Sequence, residues 1–208
     1  MHNVEPQTNA RRKLLMAYRA HFLSRTFRET VSNLPAAFFL TDPERTPDPI
    51  ATIENLPAHT GVIYRHFGLE DRFKIGKEIK EACKHKNLLF FISRDEQLER
   101  FLEPDGVHWP KSQLPVFRKS GLRRAFNTSS AHSFSHISKA QNLGLDACFL
   151  SAIFPSNSPS APSAMGNIRL RTLSSQSKIQ LYGLGGVNVH NAGSIAKHTG
   201  LAAVSNLF

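Results

Sequence analysis

Eight short apolar segments, separated by segments with helical character, place the strongest constraint on the fold of this 208-residue chain. Short, nearly continuous apolar runs are typical of parallel strands that are buried on both faces. The predicted strands lie at residues 36–40, 62–64, 87–93, 105–110, 121–129, 146–154, 178–188 and 201–208. Eight strand–helix units in a chain of this length predict a compact (β/α)₈ TIM barrel. An open doubly wound sheet is the alternative, because periodicity alone does not separate the two folds.

The segments between these strands include five predicted helices. The helices lie at residues 11–33, 71–86, 95–102, 134–144 and 166–175. The first is amphipathic, with arginines between its apolar positions. We therefore divide the chain into an N-terminal basic helical extension, residues 1–33, and a barrel, residues 34–208. The N-terminus lacks the uninterrupted apolar core of a signal peptide, and no run approaches the ~20 apolar residues that span a bilayer.

The net charge of +10 limits the classes of partner. A basic chain can bind nucleic acid, acidic lipid or phosphorylated small molecules. Here the basic residues are dispersed and form no dense stripe interleaved with aromatic residues, so we predict no nucleic-acid partner and no membrane partner. Cys83 and Cys148 fall in a predicted helix and a predicted buried strand. Nothing requires them to pair, which favours a reducing cytoplasmic location.

Residues at the carboxyl ends of the predicted strands are candidates for chemistry, because TIM barrels place their active sites there. These ends are rich in hydroxyls, glycines and imidazoles and poor in carboxylates. Gly185 and Gly186 let the backbone approach a ligand, and Ser205 lies beside them at the eighth strand. Together they predict an anion cradle, with Asn188 beginning the next helix. The alternative is that the two glycines form only a tight turn.

An uncharged loop of Ser, Pro, Asn and Ala, residues 155–164, follows the sixth predicted strand. Surface loops usually carry charged residues. The composition raises the question of what this loop is for, and a flexible solvent loop is one answer.

Five motifs, in this order and at this spacing, resemble the thiamine phosphate synthase and TenI family. They are DGVHWP, SSAHSF, SAIFPSNSPSAP, LGGVN and AAVSN. The resemblance covers residues 36–208 and implies a (β/α)₈ barrel that works in thiamine biosynthesis. The synthase branch is a transferase: it joins an aminopyrimidine diphosphate to a thiazole phosphate and releases pyrophosphate with the help of Mg²⁺. The TenI branch includes thiazole tautomerases, which move a proton on a thiazole phosphate.

The resemblance also implies roles for individual residues. His132 matches the acid/base histidine of the TenI loop, and Arg65 matches the arginine of the second strand, as a phosphate contact or as an ion-pair partner of Asp42. A purely structural role for His132 is the alternative. The implied phosphate-binding positions are Ser130, Ser156, Ser158, Gly185, Gly186 and Ser205. His108 is interpreted as a supporting or structural residue.

The sequence departs from the synthase pattern where that pattern supplies metal and lysine. At the second strand, Ile63 and Phe67 replace a Gln and a Lys. At the third strand, Ser93-Arg94-Asp95 replaces Asn-Asp-Arg. Gln113 replaces the second metal-binding Asp, and Pro159 replaces the lysine of the Ser/Pro loop. Mg²⁺ is a hard cation that favours carboxylates. We therefore expect weakened synthase chemistry and no certain cofactor, with Mg²⁺ possible if Asp95 takes over. Lys111 and Arg94 are candidate electrostatic substitutes.

Two classes of function follow. The first is an enzyme that binds a thiazole phosphate or thiamine phosphate, as a weak synthase or as a TenI-like tautomerase that uses His132. The second is a non-catalytic, regulatory barrel that keeps the phosphate site. The family continues with a final helix after the eighth strand. In this chain the N-terminal helix or a second copy, as in a homo-oligomer, is expected to cover the apolar wall there.

Overall fold

The computed structural model describes residues 4–22, 33–114, 125–156, 163–205 and 207. Eight strands run through this part of the chain: β1 (Ala37–Leu40), β2 (Thr60–Tyr64), β3 (Leu89–Ser93), β4 (Gly106–Trp109), β5 (Phe126–Ala131), β6 (Ala147–Leu150), β7 (Gln180–Gly183) and β8 (Gly200–Ala203). Each strand pairs in parallel with the next, and β8 pairs with β1, so the sheet is a closed barrel. Closure confirms the predicted TIM barrel and excludes the open doubly wound sheet.

Helices connect the strands on the outside of the barrel. Within the described residues these are α1 (Val4–Phe22), α2 (Pro49–Asn55), α3 (Arg72–His85), α4 (Glu96–Leu102), α5 (Phe134–Asn142), α6 (Gly166–Gln176) and α7 (Ala192–Ile195), with a short 3₁₀ helix at Lys111–Gln113. None of these helices combines the length and apolar character that crossing a bilayer requires.

Aromatic rings fill the interior of the barrel. The Phe38 ring makes edge contacts with Phe91, Phe149 and Tyr182 at centroid distances of 5.0, 5.2 and 4.9 Å. A Cβ atom on Gly106 would lie 2.2 Å from the Phe91 ring, so the small residue makes room for the large one. The Tyr182 hydroxyl donates to the carbonyl oxygen of Pro35, just before β1. The aromatic layer therefore lies towards the amino ends of the strands. It forms the floor of the mouth at the carboxyl ends of the strands.

Helix α1 covers part of the outer wall. Leu14, Ala17 and Tyr18 are buried in one cluster with Ala37 of β1 and Leu201 of β8. The Tyr18 hydroxyl lies 2.6 Å from the Thr60 hydroxyl. The helix predicted at 11–33 begins earlier in the structure, at Val4, and α1 is described as far as Phe22. Residues 23–32 of the prediction lie outside the described residues.

Two local features differ from the sequence-based expectations. No helix was expected between β1 and β2, yet α2 begins there, with Asp48 accepting a hydrogen bond from the Ala51 amide. Asn188 does not begin a helix: its Oδ1 accepts from the amides of His190 and Asn191 in a turn, and α7 starts only after Asn191. Asn is favoured in both settings, so its presence alone does not distinguish them.

Both cysteines are buried and unpaired, as expected. Burial raises the pKa of the Cys83 thiol and of the Cys148 thiol to about 12. These thiols therefore stay protonated and act as small apolar groups.

Candidate functional site

Polar side chains replace the aromatic layer at the carboxyl ends of the strands. The interior cluster includes Ile63, Phe91 and Phe149, and side chains alternate along a barrel strand. Two residues beyond Ile63 is Arg65, and two beyond Phe149 is Ser151. The same alternation places three further polar residues at this mouth, namely Ser93, His108 and Ser130. Strand order thus gathers residues that are distant in sequence above one aromatic floor.

A buried imidazole connects two hydroxyls at this mouth. The His108 ring has Nδ1 3.0 Å from Thr128 Oγ1 and Nε2 2.9 Å from Ser130 Oγ. The His108 and Phe149 rings pack in a T-shaped arrangement at a centroid distance of 5.0 Å. Burial, with a smaller contribution from the positive charge of Arg65, lowers the pKa of His108 to about 3. This imidazole is therefore neutral at physiological pH.

His132 follows Ser130 at the exposed rim of the mouth. Its Nδ1 lies 2.8 Å from the carbonyl oxygen of Ser151. A carbonyl oxygen only accepts, so Nδ1 carries the hydrogen, and in the neutral ring Nε2 is the basic atom. Hydrogen bonding thus holds the ring in the tautomer that a proton-transfer base requires.

His136 lies one helical turn beyond His132. Its Nδ1 accepts a hydrogen bond of 3.3 Å from the His132 amide, and the two ring centroids are 6.2 Å apart. Burial is the largest cause that lowers the pKa of His136, followed by the positive charges of Lys111, His132 and Lys139. A positive charge on His136 is therefore disfavoured at the rim of the mouth.

Arg65 lies beside the mouth in an ion pair. Its Nη2 is 3.7 Å from Asp42 Oδ2, and its Nε donates to the carbonyl oxygen of Thr41 at 3.2 Å. Asp42 also binds Arg45 more closely, at 2.6 Å. The ion pair expected as one of two alternatives is thus present. It does not neutralise the guanidinium fully, because Asp42 is shared between two arginines.

Gly185 and Gly186 bring the end of β7 against the segment that leads into the Ser/Pro loop. The Phe154 amide donates to the Gly185 carbonyl oxygen at 3.0 Å. Gly186 has φ +67°, and a Cβ atom there would lie 2.4 Å from the carbonyl oxygen of Pro155. Both the backbone conformation and the contact require glycine at position 186.

The predicted phosphate-binding residues follow three consecutive strands. Ser156 is half-buried just beyond the segment packed on Gly186, and Ser205 is half-buried just beyond β8. Ser158 lies outside the described residues. Because β6, β7 and β8 are neighbours in the barrel, the carboxyl ends that carry Ser156, Gly186 and Ser205 adjoin one another.

The residues at the mouth do not fit a magnesium site. Asp95 Oδ1 accepts from the amides of Gln97 and Leu98, and Oδ2 pairs with Arg72 at 3.2 Å, so the carboxylate caps α4. At the other candidate position, Gln113 is neutral and stands on the 3₁₀ helix. Within the described part of the chain, no three His, Cys, Asp or Glu side chains are grouped to hold a metal.

The structure also shows where the two candidate electrostatic substitutes, Arg94 and Lys111, lie. Arg94 pairs with Glu99 at 2.8 Å and with Glu96 at 3.3 Å, and its guanidinium lies 4.9 Å from the centroid of Trp109. Trp109 is on the outward-facing positions of β4, so Arg94 is held on the outside of the barrel. Lys111 is exposed on the 3₁₀ helix after β4, on the same side as His136.

One half of the barrel is almost free of acidic residues. Residues 106–208, which include β4 to β8, contain ten Lys or Arg and a single acid, Asp146. The Asp146 carboxylate accepts from the Asn127 amide near the start of β5, away from the mouth. The described loops that follow β4 to β8 therefore carry no carboxylate side chain.

A closed parallel barrel with a glycine-containing seventh loop and polar side chains at the carboxyl ends of its strands is a TIM barrel with a candidate site at that mouth. The model of the thiamine monophosphate synthase family matches residues 40–207, and the chain belongs to this family. Membership confirms the resemblance inferred from the strand-end motifs.

Curated relatives and a solved structure agree with this family. The chain is 27% identical over 145 residues to a thiamine-phosphate synthase of Fusobacterium nucleatum, covering 69% of this chain and 70% of the relative. It is 28% identical over 141 residues to a thiamine-phosphate synthase of Levilactobacillus brevis, covering 65% of this chain and 64% of the relative. The thiamine phosphate pyrophosphorylase structure from Pyrococcus furiosus superposes with a TM-score of 0.69 at 20% identity, over 81% of this chain and 84% of the other, which shows a shared fold.

Three residues of the mouth were not singled out from the sequence. Thr128 and Ser151 are ordinary small polar residues, and their importance depends on contacts with His108 and His132 across neighbouring strands. His136 offered one signal, because it stands four residues after His132 in a predicted helix, where side chains share a face.

Proposed function

We propose that this protein binds a thiazole phosphate or thiamine phosphate at the carboxyl-end mouth of the barrel. The observation that carries the proposal is the near-absence of acidic residues from residues 106–208, whose loops after β4 to β8 line part of that mouth. A phosphate ester carries up to two negative charges and needs hydrogen-bond donors without competing carboxylates. Family membership supports the choice of a thiamine-type ligand.

The phosphate would lie against the ends of β6 to β8. Backbone amides near Gly185 and Gly186, with the Ser205 hydroxyl, supply neutral donors there. Ser156 and Ser158 would close over it from the Ser/Pro loop, with Ser130 reaching it from β5. Arg65, on the opposite side, supplies a positive charge that Asp42 only partly neutralises.

We infer that synthase chemistry is weakened in this chain. Departure of pyrophosphate requires neutralisation of developing negative charge, which the synthases obtain with the help of Mg²⁺. Asp95 is engaged by two amides and Arg72, and Gln113 carries no charge. The neutral and cationic donors of the mouth remain available for binding.

A second candidate, a TenI-like tautomerase, is favoured by one specific contact. The Ser151 carbonyl oxygen fixes the His132 tautomer and leaves Nε2 to take or give a proton. Proton transfer on a bound thiazole needs no metal. A non-catalytic phosphate-binding barrel is the remaining alternative, and it differs from both enzymes only in the absence of turnover.

Isothermal titration with thiamine phosphate tests the binding proposal. We expect the wild type to bind and Ser205→Asp to bind at least roughly tenfold more weakly, because the new carboxylate repels the phosphate. Ser175→Asp is the matched control, since it adds the same charge on exposed α6 outside the proposed site. Absence of binding by the wild type would overturn the proposal.

Two further measurements separate the chemical alternatives. The titration is repeated with Mg²⁺ and pyrophosphate, and we expect no gain in affinity; strong enhancement would restore the synthase. Incubation with aminopyrimidine diphosphate and thiazole phosphate, or with the thiazole phosphate tautomer alone, then identifies the product. Turnover of the tautomer alone would establish the tautomerase, and binding without any product would establish the regulatory barrel.

A further inference from the structure

The hydroxyl of Thr128 determines the direction of the hydrogen bonds at the mouth. Thr128 has no exposed surface, and within the described residues its Oγ1 has one hydrogen-bond partner, His108 Nδ1 at 3.0 Å. A buried hydroxyl that cannot place its hydrogen on an acceptor loses a hydrogen bond. The Thr128 O–H therefore donates to Nδ1, and Nδ1 is the acceptor atom of the ring.

This direction selects the tautomer of His108. A neutral imidazole has one N–H and one lone pair. With the lone pair on Nδ1, the hydrogen is on Nε2, which lies 2.9 Å from Ser130 Oγ. Nε2–H donates to that oxygen. The T-shaped contact with Phe149 and the neighbouring strand positions hold the ring in this orientation.

The tautomer of His108 determines what the Ser130 hydroxyl can do, and Ser130 is only half-buried. We propose that Thr128, His108 and Ser130 form a directed hydrogen-bond chain, O–H to Nδ1 and Nε2–H to Oγ, which leaves the Ser130 hydroxyl hydrogen as a donor for an acceptor oxygen of the bound ligand. Thr128 and His108 are positioning residues in this arrangement, and Ser130 is the residue that touches the ligand. The reverse direction would use the Ser130 hydrogen inside the protein.

The chain of hydrogen bonds also strengthens the final donor. A hydroxyl that accepts a hydrogen bond is polarised and donates more strongly. The ligand atom that Ser130 selects must therefore be an acceptor, such as a phosphate oxygen, and an N–H or O–H group of a ligand would be disfavoured there. The presence of a phosphate ester at the mouth rests on the proposed function. The direction of the hydrogen bonds among Thr128, His108 and Ser130 does not.

Nitrogen-15 NMR of the histidine rings tests the direction without any ligand. We expect His108 to show a protonated Nε2 and an unprotonated Nδ1. Thr128→Val keeps the shape of the side chain and removes the donor, so we expect the hydrogen to stay on Nε2 and the Nδ1 resonance to shift to that of a lone pair without a hydrogen-bond donor. Thr128→Ser should restore the wild-type Nδ1 resonance. Thr60→Val removes another buried strand hydroxyl, at the start of β2, and should leave the His108 signals unchanged.

Titration of the same variants with thiamine phosphate tests the consequence for binding. We expect Ser130→Ala to weaken binding roughly tenfold or more, because a hydrogen bond to a charged group is lost. Thr128→Val should weaken binding by a smaller factor, because only the polarisation of the Ser130 hydroxyl is lost. Thr128→Ser should recover most of the affinity. A protonated Nδ1 in the wild type would overturn the proposal, and so would unchanged binding by Ser130→Ala.

The outcome also separates this inference from the proposed function. If the NMR signals change as expected but no variant binds thiamine phosphate, the function fails and the directed chain is supported. If the wild type binds but its His108 hydrogen is on Nδ1, the directed chain fails and the function is supported.

Discussion

His132 Nδ1 donates to the carbonyl oxygen of Ser151 across 2.8 Å, so the ring of His132 is tied to the strand next to its own. Asparagine can imitate the Nδ1 donor but has no basic atom in place of Nε2. The contact therefore allows the orientation of residue 132 to be separated from its acid/base chemistry.

The first prediction concerns this separation. His132→Asn should lower tautomerisation of thiazole phosphate by roughly 10²–10⁴-fold, the usual contribution of a general acid or base. Binding of thiamine phosphate should change by less than about threefold, since the donor to Ser151 is retained. His85→Asn, an exposed position at the end of α3, is the control. Equal losses of turnover and binding in His132→Asn would argue for a purely structural histidine.

The second prediction concerns the close approach at Gly186. Gly186→Ala should lower the free energy of unfolding by about 2–3 kcal/mol, because it combines a left-handed backbone with a Cβ 2.4 Å from Pro155 O. Gly144→Ala has a similar φ of +76° but open space around the new methyl, and should cost only about 1 kcal/mol. Urea unfolding measures both. Similar losses of unfolding free energy in the two variants would contradict an added cost from the contact between residue 186 and the Pro155 carbonyl oxygen.

The third prediction concerns Asp95, whose carboxylate caps α4. Asp95→Ala should lower the free energy of unfolding by about 1–2 kcal/mol, while Asp95→Asn should cost less because Asn is an equally good cap. Neither change should alter binding of thiamine phosphate with or without Mg²⁺. Asp48→Ala, at the cap of α2, is the matched control for stability. A Mg²⁺-dependent loss of affinity in Asp95→Asn would instead show that Asp95 binds the metal.

The fourth prediction is a loss of stability in mild acid. Burial lowers the pKa of His21 to about 4, so the unfolded state binds a proton before the folded state does. Stability from this residue is present above pH ~6.5 and is lost as the pH falls towards 4. Between pH 7 and pH 5 the loss should be about 2 kcal/mol. Urea unfolding of His21→Gln should show a correspondingly flatter pH dependence, whereas exposed His85→Gln should follow the wild type.

The fifth prediction concerns the wall covered by α1. Leu14 is 3% exposed against the barrel, and its neighbour Leu15 is 48% exposed on the outer face. Leu14→Ala should lower the free energy of unfolding by about 2–4 kcal/mol and Leu15→Ala by less than about 0.5 kcal/mol. Comparable effects of the two would mean that α1 does not pack on the barrel in solution.

The sequence was sufficient for the order of the elements, because buried parallel strands leave apolar runs that are easily recognised. β3 and β6 are examples, with Phe90, Phe91 and Phe149 inside them. Helix α2 was not predicted, because a proline such as Pro49 occurs in loops as often as at the start of a helix.

Side-chain direction at the mouth was harder to predict. The sequence placed Asp95 and Arg94 at a strand end, but each is turned away from a ligand by a partner elsewhere in the chain, Arg72 in one case and Glu99 in the other. Such pairings join residues from different parts of the fold, so a local sequence pattern does not predict them. His132 was found because its neighbours form a motif, whereas Thr128 was not, because its role depends on His108 of the adjacent strand.

The uneven distribution of acids has a kinetic consequence. Residues 1–105 carry 16 Lys or Arg against 15 acids, whereas the remainder carries ten against one. Net positive charge is therefore concentrated in the second half of the sequence, and a dianion that comes within about 10 Å of these residues at ordinary ionic strength is attracted to them. Ligand capture should be fast at low salt and slow steeply as salt is added, while release, which depends on contacts already made, should respond far less.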